Sequence, residues 1–279
     1  MPYAAEISRL NPSCFLFVID QSGSMEDPFA GADKLRSKAR ELADVINRLL
    51  QTLVTRSAKG EDVRDYFDVA LIGYGQTLGS VLQGPLAGRD FVRISEIAVN
   101  PVRLEQRMKK VSDGAGGLVE QSFQFPVWLD PVHNGATPMC AALGQAKSAL
   151  ERWVATHAAS YPPTVIHITD GESTDGDPSA VAAEVRALST QDGPVLLFNL
   201  HLSSAAVTPL TFPASVAEVP DQFARSLFDM SSPLPDPIRK EAAAEGYSVA
   251  DGSRGFAFNA DLVEAVRFID IGTRVGTLR

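Results

Sequence analysis

Apolar residues in this sequence follow two rhythms. Residues 14–19 (CFLFVI) form a short continuous apolar run, the pattern of a strand covered on both faces of a parallel sheet, and it is expected to be the central strand. From Asp33 onward, Leu35, Ala39, Leu42, Ile46, Leu49 and Leu53 recur at steps of three and four, which lays an apolar stripe along a helix of several turns. The rhythms then alternate: 67–72 reads as a strand, 139–153 as a helix, 165–168 as a strand and 180–188 as a helix. Segments 195–202, 237–244 and 255–258 follow, and a closing helix is expected from 261 to about 269. Such alternation predicts an α/β fold: a doubly wound, mostly parallel open sheet with helices on both faces.

Two stretches depart from this pattern. The first, about 80–132, is longer than a hairpin and one helix require. It carries Arg89, Arg93, Arg103, Arg107, Lys109 and Lys110, then a glycine cluster at 114–117, then an extended aromatic segment with Phe123, Phe125 and Trp128. It leaves after Gly75 and returns at Gly135, so it is expected beside the crevice at the sheet edge. There it would serve as a basic arm with aromatic anchors for an acidic partner, or as an edge strand packed on the core with solvated charges. The second stretch, about 203–237, is rich in Ser and Pro and reads as an irregular surface connection. No linker splits the chain and no internal repeat occurs, so 1–279 is read as one domain carrying these two interruptions.

Composition narrows the function classes. With 45% hydrophobic and 21% charged residues, the chain has the balance of an ordinary soluble domain. Its net charge of −9 argues against nucleic-acid binding, which depends on Lys and Arg neutralising phosphates. Cys14 and Cys140 are expected to pack as small apolar groups rather than to pair. No secretory signal pattern and no apolar stretch of membrane-spanning length is present, so a cytoplasmic location without membrane contact is expected. Oligomeric state is open.

The candidate chemistry follows the first strand directly, in Asp20-Gln21-Ser22-Gly23-Ser24. It lies where open α/β sheets bind ligands, in the crevice beyond the carboxyl ends of the strands. Asp170-Gly171 ends a second strand at the same edge, and Thr137 opens the helix before that strand. Five small oxygen donors from three loops, Asp20, Ser22, Ser24, Thr137 and Asp170, suit a hard divalent cation. Two carboxylates leave room for water and an outside ligand, which is Mg²⁺ chemistry, with Mn²⁺ or Ca²⁺ as alternatives. Taken singly, these residues also suit helix caps and turns. Glu26, Asp27, Glu172, Asp175 and Asp177 nearby read as solvated loop charges.

Asp-X-Ser-X-Ser after an apolar strand, Gly135-Ala-Thr137-Pro before a helix and Ile-Thr-Asp170-Gly after the next strand together resemble the metal-ion-dependent adhesion site of the von Willebrand factor type A family. The resemblance extends over most of the chain. It implies that Ser22 and Ser24 ligate the metal directly, that Asp20 and Asp170 act directly or through water, and that Thr137 engages according to conformational state. The sixth position would take a Glu or Asp from a partner protein. Soluble bacterial members resemble the tellurite-resistance-associated type A proteins, which the family links to kinase and phosphatase partners in signalling or stress systems.

The competing readings are a Mg²⁺-dependent phosphohydrolase and a purely structural metal site. The enzyme reading lacks an identifiable base or nucleophile: Ser22 has no nucleophile-elbow pattern, and His133, His157, His167 and His201 are scattered. No catalytic residue is assigned. Gly73-Tyr-Gly75-Gln-Thr-Leu-Gly79 has the wrong spacing for a dinucleotide fingerprint, and no nucleotide P-loop occurs.

Overall fold

The computed structural model describes residues 2–28, 36–112, 117–202, 208–260 and 262–273. In chain order its strands are β1 (Ser13–Asp20), β2 (Phe67–Tyr74), β3 (Leu78–Ser80), β4 (Val92–Arg93), β5 (Arg103–Ser112), β6 (Leu118–Val127), β7 (Thr164–Thr169), β8 (Leu196–His201), β9 (Leu210–Thr211) and β10 (Phe256–Phe258). Its α-helices are α1 (Lys38–Ser57), α2 (Ile94–Val99), α3 (Met139–Thr156), α4 (Ser179–Ala187), α5 (Gln222–Met230), α6 (Asp236–Ala244) and α7 (Leu262–Thr273). Two small ladders, 58–59 with 62–63 and 189–190 with 193–194, lie outside the main sheet.

The main sheet runs β9-β10-β8-β7-β1-β2-β3, with β4 also on β2. β1 is parallel to both β2 and β7, and every residue of it is buried. Alternate β1 side chains feed two cores. Phe15, Phe17 and Ile19 pack with Leu42, Ile46 and Leu50 of α1 and with Phe268 of α7. Cys14, Leu16 and Val18 pack with Leu143 and Leu150 of α3, Val185 of α4 and Leu227 of α5. Burial on both faces explains why β1 reads as a continuous apolar run instead of an alternating one. The architecture is therefore α/β, with a mostly parallel sheet flanked by helices.

The chain leaves β1 through α1 to reach β2 on one side, and later passes through α3 to reach β7 on the other. This reversal opens a crevice at the carboxyl end of β1. Helix α1 begins at Lys38, with Ser37 accepting from the Arg40 N–H as its cap. Asp33 and Leu35, the expected start of its stripe, lie outside the described residues.

Both interruptions contain more order than expected. The 80–132 stretch folds into β4, α2 and a ten-residue-per-strand hairpin of β5 and β6, in register from Arg103 opposite Val127 to Ser112 opposite Leu118. Its first strand, RLEQRMKKVS, is charged along its length and largely exposed, so hydrophobic periodicity does not reveal it. Residues 114–116 lie outside the described set. The 203–237 stretch is corrected likewise: past 203–207, which are not described, it contains α5, capped by Asp221 accepting from the Ala224 N–H. Ala224, Leu227, Phe228 and Met230 of α5 are core residues. A nine-residue helix presents too few turns for its stripe to stand out among Ser and Pro.

Cys14 and Cys140 are both free. Among the described residues, no helix is long and apolar enough to cross a membrane.

Candidate functional site

Asp20 closes β1 and is 1% exposed, so its carboxylate must be satisfied within the protein. Oδ1 accepts the Ser22 N–H at 2.8 Å, and Oδ2 accepts the Thr169 hydroxyl at 2.7 Å. Burial raises its pKa, and the hydrogen bonds from Ser22 and Thr169 oppose that rise. The chain then enters a 3₁₀ turn, Gly23–Glu26, pinned by the fully buried Met25. The turn brings Ser22 Oγ to 3.1 Å from Ser24 Oγ, which donates to Asp170 Oδ1 at 2.7 Å.

Thr137 reaches the same place through a clamp of three loops. Asn134 donates its N–H to Gln21 O at 2.6 Å, Gln76 donates to Asn134 O at 2.8 Å, and Gly23 donates to Gly135 O at 3.1 Å. The loops lie so close that a Cβ on Gly75 would stand 2.6 Å from the carbonyl oxygens of Asn134 and Gln21. At Gly135, φ is +88° and a Cβ would stand 2.4 Å from Gln76 N. Only glycine fits either position. Thr137 does not cap α3: the helix starts at Met139, and the Thr137 N–H is held instead by Thr174 Oγ1 at 3.1 Å. A Cβ on Gly171 would be 3.9 Å from Thr137 Oγ1 and 3.8 Å from Ser24 Oγ, which places both hydroxyls beside the same glycine.

Three residues outside the expected set lie in the elements around the site. Lys38, the first residue of α1, places Nζ 2.8 Å from Asp170 Oδ2, with side-chain exposures of 5% and 0%. His201 ends β8 opposite Thr169, stacked on Phe258 at 5.0 Å. Burial lowers its pKa to about 4, with Asp221 and Asp170 opposing and Lys38 assisting, so the ring is neutral. Its Nδ1 has no partner among the described residues. Asp175 is not a solvated loop charge: it accepts the Cys140 and Ala141 N–H groups at 3.0 and 2.9 Å and so caps α3. Burial raises its pKa, but the Ala141 and Cys140 donors outweigh this and hold it below the usual range. Asp177 similarly accepts the Ser179 N–H at the start of α4. Glu26, Asp27 and Glu172 are exposed, as expected. No sequence pattern marks Lys38, because a lysine in the first turn of a helix has no motif value.

The donor set fits a hard divalent cation. Adjacent ligands on an octahedron with Mg²⁺–O bonds of 2.0–2.1 Å stand about 2.9 Å apart. The Ser22–Ser24 and Ser24–Asp170 separations, 3.1 and 2.7 Å, bracket that edge. Among the described residues, no group of three His, Cys, Asp or Glu side chains converges as metal ligands. The candidate set is two carboxylates and three hydroxyls.

Comparison with known proteins adds similarity at low identity. The chain is similar to proximal thread matrix protein 1 from the mussel byssus, with 14% identity and a TM-score of 0.45 over 82% of this chain and 43% of that one. It is similar to the PilB minor pilin from Streptococcus sanguinis, with 13% identity and a TM-score of 0.34 over 57% of this chain and 30% of that one. The vWF domain of the type V pili tip protein Mfa5 from Porphyromonas gingivalis is similar at 16% identity and a TM-score of 0.31, over 58% and 38% of the two chains. The chain spans less than half the length of each of these. No family model and no curated protein matches the sequence. The functional reading therefore rests on the residues themselves.

Proposed function

We propose that this protein is a metal-dependent protein-binding module of the von Willebrand factor A type. Asp20, Ser22, Ser24, Thr137 and Asp170 would hold one Mg²⁺ or Mn²⁺, and an open coordination position would capture a Glu or Asp of a partner protein. The observation that carries this reading is the run of oxygens from Ser22 through Ser24 to Asp170 at the edge spacing of an octahedron, with the Thr137 hydroxyl beside it. Three hydroxyls and two carboxylates leave a bound cation with residual positive charge, and an incoming carboxylate neutralises it. The reading assigns no turnover to the site and gives Ser22 no nucleophilic role.

Calorimetric titration with Mn²⁺ tests it. Asp20→Ala and Asp170→Ala are expected to lose binding by about ten- to a hundredfold or more, since loss of a ligand's supporting partner alone costs about that much. Both should retain the native circular dichroism spectrum. Unchanged Mn²⁺ affinity in both variants would falsify the assignment. Thr137→Ala is expected to weaken capture of an acidic partner more than binding of the bare metal.

A further inference from the structure

Lys38 stands where a cation-binding site should not tolerate a competitor. Its ammonium is buried and bonded to Asp170 Oδ2, while the other oxygen of the same carboxylate takes the Ser24 hydroxyl. Without a metal, Asp170 is thus already satisfied on both oxygens, and one of the site's two negative charges is neutralised. A divalent cation that engages Asp170 must share that carboxylate with a buried positive charge or drive it away. In a buried setting the repulsion is weakly screened.

The helix that carries Lys38 also supplies a second place for it. Glu41 lies three residues along α1, on the same helical face. Its side chain is 8% exposed, and although Oε1 meets Arg36 at 3.3 Å, Oε2 is buried without a hydrogen-bond partner among the described residues. A buried carboxylate oxygen with no donor is costly unless some state of the protein satisfies it.

Resting on the metal reading above, we propose that Lys38 is a displaceable latch on the site. Its ammonium holds Asp170 in the metal-free protein and transfers to Glu41 Oε2 when a divalent cation takes Asp170. The latch lowers metal affinity, keeps the crevice formed without metal, and links occupancy to the first turn of α1.

The test is Mn²⁺ titration of the native chain and of Lys38→Met, Glu41→Gln and the double variant, read by calorimetry and by the electron paramagnetic resonance of free Mn²⁺. Lys38→Met removes the competitor and is expected to bind Mn²⁺ at least tenfold more tightly than the native chain. Glu41→Gln removes the receiving carboxylate and is expected to bind several-fold more weakly. The double variant should match Lys38→Met, because Glu41 acts only through the lysine. Lys38→Met leaves Asp170 unpaired without metal, so its melting temperature should fall in chelator and recover with Mn²⁺ more than that of the native chain.

If the native chain binds Mn²⁺ and Lys38→Met binds no more tightly, the latch is wrong and the metal site stands. If neither binds at millimolar Mn²⁺, both ideas fall. Should Lys38→Met fail to fold, Glu41→Gln decides alone, and native affinity in that variant overturns the latch.

Discussion

His167 lies between Ile166 and Ile168 in β7 and is fully buried, so its ring must find partners inside the core. Asn199 directs its Nδ2 to Leu227 O and Ser231 Oγ, which leaves its Oδ1 to accept from His167 Nδ1–H at 2.8 Å. That fixes the tautomer: Nε2 carries the lone pair and accepts the Tyr74 hydroxyl, also at 2.8 Å. Burial lowers the His167 pKa from 6.5 to about 4, against the Asn199 hydrogen bond. The unfolded chain therefore takes up the proton first. The stability this neutral ring contributes is complete above pH 6.5 and is lost as pH falls towards 4, by about 3 kcal/mol. Urea unfolding of the native chain and of His167→Gln across that window measures it. The native chain should lose that much more than the variant, and parallel pH profiles would exclude the assigned tautomer and charge.

At the level of elements, the β5–β6 hairpin is built into the domain at its base. Asn47 of α1 accepts the Trp128 N–H at 2.8 Å and donates to Leu129 O at 3.0 Å. Trp128 and Phe125 are buried, so they are core residues and not anchors for a partner. Part of the expected basic surface is likewise neutralised in place: Arg103 pairs with Glu105 and Asp130, and Arg107 pairs with Asp44 and Glu105 while covering the Phe125 ring at 3.7 Å. Phe125 and Trp128 thus follow the packed alternative of the two sequence readings, while Phe123 is half-buried. Arg107→Glu would set a like charge against Asp44 and Glu105. Hydrogen exchange of the hairpin amides is then expected to quicken on the order of tenfold, with β1 and β7 amides unchanged. Uniform acceleration throughout the protein, or none, would show that Arg107 does not fasten the hairpin.

For the whole molecule, the site joins elements from both sides of the sheet: β1 and its turn, the loop before α3, the end of β7 and the start of α1. A ligand bound there should stabilise the complete fold. At Mn²⁺ a hundredfold above its dissociation constant the gain is about 2.7 kcal/mol. For a chain of this size that corresponds to a rise of roughly 5 °C in melting temperature. Chelator should reverse the rise, and Asp170→Ala should abolish it. A melting curve indifferent to both Mn²⁺ and chelator would leave the site without a cation.

The sequence by itself determined the frame, because strands buried on two faces and helices with one apolar stripe imprint their periodicity on the chain. β1, α3 and β7 were legible from residues 14–19, 139–153 and 165–168. It also placed Asp20, Ser22, Ser24 and Asp170 at one sheet edge, since Asp20 ends β1, Ser22 and Ser24 follow within one turn, and Asp170 follows the parallel neighbour β7. Periodicity did not expose β5, whose exposed faces have no reason to alternate, or α5, which is too short to display a stripe. Only the tertiary structure decided the charge balance of the site. Lys38 is 132 residues from Asp170, and it and His201 matter there solely because packing carries them to the same edge. Their roles depend on burial, which removes water as a competing partner and leaves each polar atom dependent on whichever neighbour the fold supplies.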